Sequence, residues 1–307
     1  MAPDTTAEVQ EYAETKLDIR PLKPVGAEIY GLDLSQNLDD NTIHAIEAAL
    51  DCYGMVVFRN QDLGPAEQIA FTRRFGEVPS HVRQEFSLEG YPEIHLISNI
   101  KEGERSIGSA YAGDGWHSDL CFTKTPAQYL VLNAKELPHD DDGNVLGDTL
   151  FASAAKAYDS LPQKVKEKIA GRRGIQQYHR RQAIKQKERV GDHARPDLTA
   201  AQLAETPDIT QPVIRTHNRT GRACIYVNPV YTFGIEGMEE QEAQSLLTML
   251  EEHIVKPEAE KVYRHKWRSG DVVMWDNCLM QHEAITDYAL PQRRLMYRTT
   301  VKGESVY

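Results

Sequence analysis

The residues with the clearest capacity for chemistry are a histidine and an aspartate two positions apart, His117 and Asp119, in the segment WHSD. In a β-strand, residues i and i+2 point to the same face, so this imidazole and this carboxylate could reach a single ion. We predict that His117 opens a strand, because Leu-Cys-Phe follows Asp119. Two histidines and one carboxylate that leave coordination positions open are the typical ligands of Fe(II) in oxygenases. The pair therefore predicts a metal site that needs one more histidine.

The same spacing occurs again at His139 and Asp141, so spacing alone is weak support for a metal site. His139 lies in the acidic run HDDDG without a flanking apolar segment, which is typical of an exposed loop. By contrast, the glycine-containing segment 111–115 before His117 predicts a flexible approach to a cleft. We therefore select His117 and Asp119.

The third ligand is predicted near the C-terminus, where His282 follows a buried strand and a polar turn. A single histidine is more often structural than metal-bound, so this assignment depends on its neighbours. Downstream, Arg294 and Arg298 would share one face of a strand, and a guanidinium group matches a carboxylate in geometry. The alternative is a pair of surface arginines on an edge strand. The functional interpretation is an anion-binding pocket beside the metal.

The elements expected to position these residues are those of a mostly β protein with flanking helices. Amphipathic segments at 40–50 and 65–75 predict helices on either side of a buried strand at 55–58. Short apolar runs separated by Gly, Pro, Asn and Asp predict an antiparallel sandwich or jelly roll. The other predicted strands are LDIRPL, AEIYGLDL, IHLIS, QYLVLNA, DTLFA, DVVMW and RLMYRTTV.

Residues 1–15 are expected to form a flexible N-terminus, and residues 16–307 a single domain. Between Lys164 and Arg195 the sequence has eleven Lys or Arg residues and three acidic ones. Such a run is most often a solvated helical face. The functional alternative is a helical and loop lid insertion around 164–215 that attracts an anionic ligand.

The composition of the chain indicates which class of partner it binds and in which compartment it is found. The net charge of −11 argues against nucleic acid as the main partner, because phosphate binding requires clustered Lys and Arg, and it favours a small molecule. The four cysteines lie far apart with no CxxC pair, which predicts reduced thiols. We see no leader segment and no apolar run approaching the length of a membrane span, and therefore expect a cytoplasmic protein without a membrane partner.

Taken together, the motifs resemble those of the taurine dioxygenase (TauD/TfdA) family of Fe(II)/2-oxoglutarate dioxygenases over nearly the whole chain. The resemblance implies a double-stranded β-helix (jelly-roll, cupin-like) core, Fe(II) as cofactor, 2-oxoglutarate as co-substrate and O2 as oxidant. It also implies a homodimer or homotetramer. The matching segments are RFGE (74–77), WHSD (116–119), AKELP (134–138), GDTLF (147–151), YVNPVYTFGIEGM (226–238), WDN (275–277) and DYALPQRRLMYR (287–298).

The resemblance also implies roles for individual residues. It gives His117, Asp119 and His282 as the iron ligands, which are the catalytic centre. It gives Thr149 and Arg294 as contacts to the distal carboxylate of 2-oxoglutarate.

Further positions match the family's co-substrate and substrate contacts. Arg298 lies where the family has an arginine near the C1 carboxylate of 2-oxoglutarate and the primary substrate, and His81 matches a substrate-contacting histidine. Where taurine dioxygenase has a tyrosine and an asparagine against its substrate, this chain has Gln84 and Gly113. These two differences predict a substrate other than taurine.

The predicted activity is hydroxylation of a small anionic or zwitterionic molecule, such as a sulfonate, an aryloxyalkanoate or an amino-acid derivative. Succinate and CO2 would be the co-products, and hydroxylation beside a heteroatom would cleave the substrate. Two alternatives are a zinc-dependent hydrolase with the same ligands, and a non-catalytic jelly-roll sensor of 2-oxoglutarate or another small acid, for which an intact set of three ligands would be unnecessary.

Overall fold

The computed structural model describes residues 17–110, 112–188, 197–256 and 261–306. The predicted flexible N-terminus at 1–15 lies outside these residues. Within them, the helices are Asp40–Tyr53 (α1), Pro65–Arg73 (α2), Ala154–Asp159 (α3), Gln163–Ile169 (α4), Tyr178–Glu188 (α5), Ala200–Glu205 (α6) and Glu240–Val255 (α7), and Gln84–Phe86 is a 3₁₀ turn. The strands are Asp18–Pro21 (β1), Ala27–Tyr30 (β2), Met55–Phe58 (β3), Ser87–Leu88 (β4), Tyr91–Ser98 (β5), Lys101–Glu102 (β6), Arg105–Ser106 (β7), Ala127–Glu136 (β8), Thr149–Ser153 (β9), Arg173–Gln176 (β10), Ile209–Pro212 (β11), Ile214–Thr216 (β12), Ala223–Ile225 (β13), Thr232–Ile235 (β14), Val262–His265 (β15), Val272–Asp276 (β16), Met280–Ala284 (β17) and Leu295–Lys302 (β18).

Two sheets enclose the main core. An eight-stranded sheet has the order β1-β2-β3-β16-β8-β18-β5-β4, and a three-stranded sheet has the order β15-β9-β17. Phe151 of the smaller sheet packs against Trp275 of the larger one, with ring centroids 5.4 Å apart. Only β2 and β3 pair in parallel within these two sheets. The prediction of a strand-rich fold with flanking helices is confirmed.

Strand β3 is covered on both faces, and this explains why its sequence is a continuous apolar run rather than an alternating one. Met55 and Val57 face the core between the two sheets, whereas Val56 and Phe58 face a second core beneath α1. A strand that is covered on both faces has no solvent side on which to place polar residues. The predicted strand at 55–58 is therefore confirmed with the expected bounds.

Both predicted flanking helices are present, with slightly different ends. α1 begins after Asp39, whose side chain accepts a hydrogen bond from the backbone N–H of Thr42, and it continues to Tyr53 before a left-handed Gly54. α2 begins with Pro65, a residue suited to the first helical position, and it ends at Arg73.

The described part of the basic segment forms α4, β10 and α5, and its residues 189–195 lie outside the described ranges. Two of its cations, Arg181 and Lys185 on α5, bind the carboxylate of Asp114 at 3.1 and 2.6 Å. This end of α5 therefore lies against the loop that leads to His117. Its function as a lid stays a prediction.

No described helix combines the length and the apolar composition that are needed to cross a bilayer.

Gly54 provides a test of packing between α1 and the site-bearing strand β17. It has φ +79°, and a Cβ there would collide with Met280 Sδ, whose side chain is buried. Gly31 has the same φ, but a Cβ there would meet nothing within 4 Å. We expect Gly31→Ala to lose about 1 kcal/mol of unfolding free energy from the left-handed backbone alone, and Gly54→Ala to lose about 1–3 kcal/mol more from overpacking. Urea denaturation of both variants measures the difference, and equal losses would contradict the packing argument.

Candidate active site

His117, Asp119 and His282 form a buried cluster whose ligand atoms all lie within 4.8 Å of one another. Asp119 Oδ1 is 3.5 Å from His117 Nε2, and Asp119 Oδ2 is 4.0 Å from His282 Nε2. Among the described residues, this is the one group of three His, Cys, Asp or Glu side chains with such convergence. The structure thus brings together the three residues predicted as metal ligands.

A pair of backbone hydrogen bonds holds the two histidines together. The N–H of His117 donates to the carbonyl of His282 at 3.0 Å, and the N–H of His282 donates to the carbonyl of His117 at 2.9 Å. This is an isolated bridge between one residue of a loop and one residue of β17. Residues directly opposite each other in an antiparallel bridge have side chains on the same face. The two imidazole rings consequently lie 4.2 Å apart between centroids.

Asp119 does not lie on a strand, so the prediction of a strand running through Leu-Cys-Phe is wrong. The chain turns immediately after Asp119: Leu120 has φ +54°, and the Leu120 carbonyl accepts a hydrogen bond from the Thr123 N–H at 2.9 Å. A turn of this kind interrupts the alternation on which the i, i+2 argument depended. The carboxylate reaches the histidines because the backbone bends, and not because of strand periodicity.

The side chain of Asn277 fixes this bend. Its Oδ1 accepts a hydrogen bond from the Asp119 N–H at 2.8 Å, and its Nδ2 donates to the carbonyls of Asp119 at 2.7 Å and Ala127 at 3.0 Å. Asn277 is completely buried in the turn between β16 and β17. From the sequence, WDN was recognised only as a motif, and no role was predicted for Asn277. A polar turn between two apolar strands was the available signal.

The surroundings of the cluster favour the protonation states in which its side chains can bind a divalent ion. The Nδ1 of His117 donates to the Gly115 carbonyl at 2.9 Å, which leaves the Nε2 lone pair available. Burial and the proximity of His117 hold the pKa of His282 well below its ordinary value, which favours a neutral ring. Burial alone would raise the pKa of Asp119, but Arg298 and the histidines hold it well below its ordinary value. Two neutral imidazoles and one carboxylate are suitable ligands for Fe(II).

The alternative pair, His139 and Asp141, is exposed. His139 Nδ1 donates to the Leu137 carbonyl at 2.9 Å, and Asp140 organises the loop by accepting hydrogen bonds from the backbone of Asp142 and Asn144. The described residues place no third ligand near this pair. The loop is therefore structural, as its composition indicated.

The two arginines are buried, which contradicts the alternative of surface residues on an edge strand. β18 lies in the middle of the large sheet, between β8 and β5. Arg294 is 2% exposed and Arg298 is 9% exposed, whereas the neighbouring Arg293 side chain is 55% exposed and pairs with Glu136. Arg298 Nη1 donates to Asp119 Oδ2 at 3.0 Å. The Nε atoms of Arg294 and Arg298 have no acceptor among the described residues.

The backbone at Gly147 lies close to the Arg294 guanidinium. A Cβ built at Gly147, two residues before Thr149, would be 3.2 Å from Arg294 Nε, and Arg294 Nη2 donates to the Gly147 carbonyl at 3.4 Å. Thr149 Oγ1 accepts a hydrogen bond from Trp267 Nε1 at 3.1 Å. A hydroxyl that accepts one hydrogen bond still has its own proton to donate. The free donors of Arg294 and Thr149 fit the oxygen atoms of a carboxylate.

Three of the residues predicted to contact the substrate, His81, Gly113 and Gln84, lie in different surroundings. The ring of His81 packs against that of His95 with centroids 4.1 Å apart and the ring planes tilted by 39°, and His95 lies opposite Arg298 in the pairing of β5 with β18. A Cβ at Gly113 would be 3.6 Å from His117 Cε1, so this position borders the cluster. Gln84 is exposed on the 3₁₀ turn. His95 was not predicted to be near the site, because its strand was interpreted only as an apolar one.

Comparison with known proteins gives a consistent result. Residues 18–300 match the family model described as taurine catabolism dioxygenase TauD, TfdA family. The alpha-ketoglutarate-dependent 2,4-dichlorophenoxyacetate dioxygenase of Cupriavidus pinatubonensis is 32% identical over 297 residues, which cover 93% of this chain and 98% of that protein. The alpha-ketoglutarate-dependent sulfonate dioxygenase of Saccharomyces cerevisiae is 29% identical over 296 residues, which cover 94% of this chain and 68% of that protein.

Solved structures agree with the sequence relatives. A taurine dioxygenase from Burkholderia xenovorans superimposes with a TM-score of 0.76 and 28% identity, covering 95% of this chain and 91% of that one. AAD-2 in complex with Mn(II) and N-oxalylglycine superimposes with a TM-score of 0.78 and 27% identity, covering 95% and 99%.

The hydrogen bonds of Asn277 predict an effect on metal affinity that a general loss of stability does not produce. We expect Asn277→Ala to weaken Co(II) or Fe(II) binding by about 10- to 100-fold, as loss of a group that orients a ligand does. Asn133→Ala is the matched control, because Asn133 is also a buried asparagine, lies on β8 of the large sheet and donates to Gln68 and Leu63. Both variants should lose about 1–3 kcal/mol of stability. Anaerobic calorimetric titration with the metal separates them, and equal affinities would refute the role of Asn277.

Proposed function

The chain belongs to the taurine catabolism dioxygenase TauD, TfdA family, and we propose that it hydroxylates a small anionic or zwitterionic organic substrate. It is an oxidoreductase, a dioxygenase dependent on Fe(II) and 2-oxoglutarate, with O2 as the oxidant. When bound, the iron couples the decarboxylation of 2-oxoglutarate, which yields succinate and CO2, to the oxidation of the substrate. The observation that carries the proposal is the convergence of two histidines and a carboxylate beside two buried arginines.

His117, Asp119 and His282 would hold the iron. Three protein ligands leave positions for 2-oxoglutarate and O2, which is the requirement of this chemistry. The donor set fits the ion, because the structure favours an ionised Asp119 and a neutral His282. The backbone bridge between the histidines and the side chain of Asn277 orient these ligands before any metal arrives.

Arg294 and Thr149 would bind the distal carboxylate of 2-oxoglutarate. Arg294 is almost completely buried and its Nε has no acceptor among the described residues, and Thr149 retains a hydroxyl proton to donate. Arg298, which contacts Asp119, would lie near the C1 carboxylate of 2-oxoglutarate and the primary substrate. The contribution of these residues is position and exclusion of water from the reacting atoms.

The substrate would be a sulfonate, an aryloxyalkanoate or an amino-acid derivative. Among relatives, one acts on 2,4-dichlorophenoxyacetate, one on (S)-phenoxypropionate, one on sulfonates and one on sulfate esters. All of these are organic anions at neutral pH. In this chain, His81, Gln84, Gly113 and Arg298 would contact the substrate. Gln84 would need to approach from the surface, since it is exposed in this structure.

Other features of the proposal concern architecture. The two facing sheets would be the jelly-roll core of one domain spanning 16–307, with the 164–215 region as its lid. The contact of α5 with Asp114 supports the lid, because it connects that region to the loop before His117. We further propose a cytoplasmic homodimer or homotetramer. Neither a zinc hydrolase nor a small-acid sensor is favoured, since the relatives are dioxygenases.

The metal and co-substrate can be tested together by anaerobic titration of the Fe(II) protein with 2-oxoglutarate. A weak visible charge-transfer band should appear in the wild type, because the keto acid binds iron through two oxygen atoms. His117→Ala should abolish the band. His139→Ala should retain it, because that histidine has the same spacing to an aspartate but lies in an exposed loop. Absence of the band in folded, iron-loaded wild type would sink the assignment.

The distal carboxylate contact predicts a difference between two adjacent arginines. We expect Arg294→Met to raise the KM for 2-oxoglutarate by about 100-fold, as the loss of charged hydrogen bonds to a carboxylate does. Arg293→Met should leave KM within about twofold, because exposed ion pairs contribute little. Succinate release under varied 2-oxoglutarate measures both. A similar KM in the two variants would mean that Arg294 does not bind the co-substrate.

A further inference from the structure

The single polar atom of the Trp267 side chain binds Thr149. Trp267 is 2% exposed and belongs to the main core between the two sheets. Its Nε1–H donates to Thr149 Oγ1 at 3.1 Å. Because an indole can only donate, the Thr149 oxygen must be the acceptor. The contact joins the segment after β15 to the first residue of β9.

His265 packs against the indole of Trp267. The two rings are nearly perpendicular, with centroids 4.5 Å apart and an interplanar angle of 84°. His265 is completely buried and lies opposite Thr149 in the pairing of β15 with β9. Its Nε2 lies 3.2 Å from Asp271 Oδ2, and Asp271 pairs with Arg59 at 2.5 Å. The indole therefore rests against a ring that has fixed neighbours of its own.

The hydrogen bond from Trp267 restricts the direction in which the Thr149 hydroxyl can donate. A hydroxyl has two lone pairs and one proton, and here one lone pair is directed at the indole. The proton must then point away from Trp267. Two residues earlier, the Gly147 carbonyl accepts a hydrogen bond from Arg294 Nη2 at 3.4 Å. The hydroxyl and the guanidinium are thus both anchored at the start of β9.

We propose that Trp267 is a positioning residue for 2-oxoglutarate, because its hydrogen bond directs the Thr149 hydroxyl at the distal carboxylate, an inference that rests on the proposed contact of Thr149 with that carboxylate. His265 contributes by packing against the indole. A keto acid without a distal carboxylate offers this hydroxyl no acceptor. Trp267 should therefore affect the choice between keto acids and not the binding of all of them.

The test is anaerobic titration of the Fe(II) protein with 2-oxoglutarate and with 2-oxobutyrate, which lacks the distal carboxylate. The visible charge-transfer band reports the Kd of each keto acid without turnover. We expect Trp267→Phe to raise the Kd for 2-oxoglutarate about tenfold, because a hydrogen bond to a charged group weakens when its donor is no longer directed. The Kd for 2-oxobutyrate should stay within about twofold of the wild-type value, because that ligand does not use this hydrogen bond.

A double variant shows whether the two residues act through one interaction. Thr149→Val should raise the Kd for 2-oxoglutarate at least as much as Trp267→Phe, because it removes the donor itself. The double variant should bind 2-oxoglutarate no more weakly than Thr149→Val alone. Losses that multiply in the double variant would show independent effects and would overturn the proposal.

Thr72→Val is the matched control for a general loss of packing. Thr72 is completely buried, and its hydroxyl binds the Gln68 carbonyl and Thr299 Oγ1, both at 2.7 Å. Thr299 follows Arg298 in β18, so this contact lies on the other face of that strand. We expect Thr72→Val to bind both keto acids within about twofold of the wild type. An equal rise in both Kd values in Trp267→Phe would indicate a structural effect and refute the positioning role.

Failure of this proposal and failure of the proposed function give different results. If the wild type shows no band with either keto acid, the proposed function is refuted, and the role of Trp267 with it. If the wild type shows the band and Trp267→Phe has an unchanged Kd for 2-oxoglutarate, only the role of Trp267 is refuted.

A second measurement needs no variant to fold. The chain has three tryptophans, and each gives one indole N–H signal in the NMR spectrum of the Zn(II)-loaded wild type. One of these signals should shift when 2-oxoglutarate is added and stay in place when 2-oxobutyrate is added, because a hydroxyl that donates to a carboxylate becomes a stronger acceptor. Identical responses of all three signals to the two keto acids would contradict the proposal.

Discussion

The backbone bridge between His117 and His282 is the contact on which the site depends. It joins a loop, where no periodic hydrogen bonding fixes the chain, to a residue of a strand in the small sheet. Because the two hydrogen bonds are reciprocal, the loop cannot slide without breaking both. The buried strand therefore determines the position of a loop residue. This is how a rigid sheet can support a metal ligand in an irregular segment.

Asn277 extends the same principle to the third member of the cluster. Asp119 lies in a turn, and a turn by itself leaves peptide groups without partners when it is buried. The amide of Asn277 supplies one acceptor and one donor to that peptide. A carboxylate could not replace the amide because it only accepts, and a hydroxyl has a single proton for the two carbonyls, of Asp119 and Ala127, to which Asn277 donates. The residue type follows from this requirement.

Much of the architecture could be predicted from the sequence, because burial on one or both faces leaves a periodic pattern. Strand β3 is an example, since its four apolar residues correspond to two cores. The buried position of Arg294 and Arg298 could not be predicted in this way, because the order of strands in a sheet leaves no local pattern. The bend after Asp119 was missed for a related reason: it depends on Asn277, which lies 158 residues away in sequence. The position of His95 near the site was not predicted, because the rest of its strand is mainly apolar.

Charge balance connects the buried groups to the ligands that the site is proposed to take. Asp119, Arg294 and Arg298 together carry one net positive charge when both histidines are neutral, and each is buried. Buried charges are tolerated when they are paired, and here Arg298 pairs with Asp119, while Arg294 donates to the Gly147 carbonyl and has no carboxylate partner among the described residues. A divalent cation would add two positive charges, and a dianionic keto acid would remove them. A singly charged anionic substrate would then bring the site to neutrality. Without the metal, the dianionic keto acid would leave the site with a net negative charge, so its binding is disfavoured. The net positive charge that remains when both metal and keto acid are bound favours an organic anion over a cation as the molecule that is oxidised.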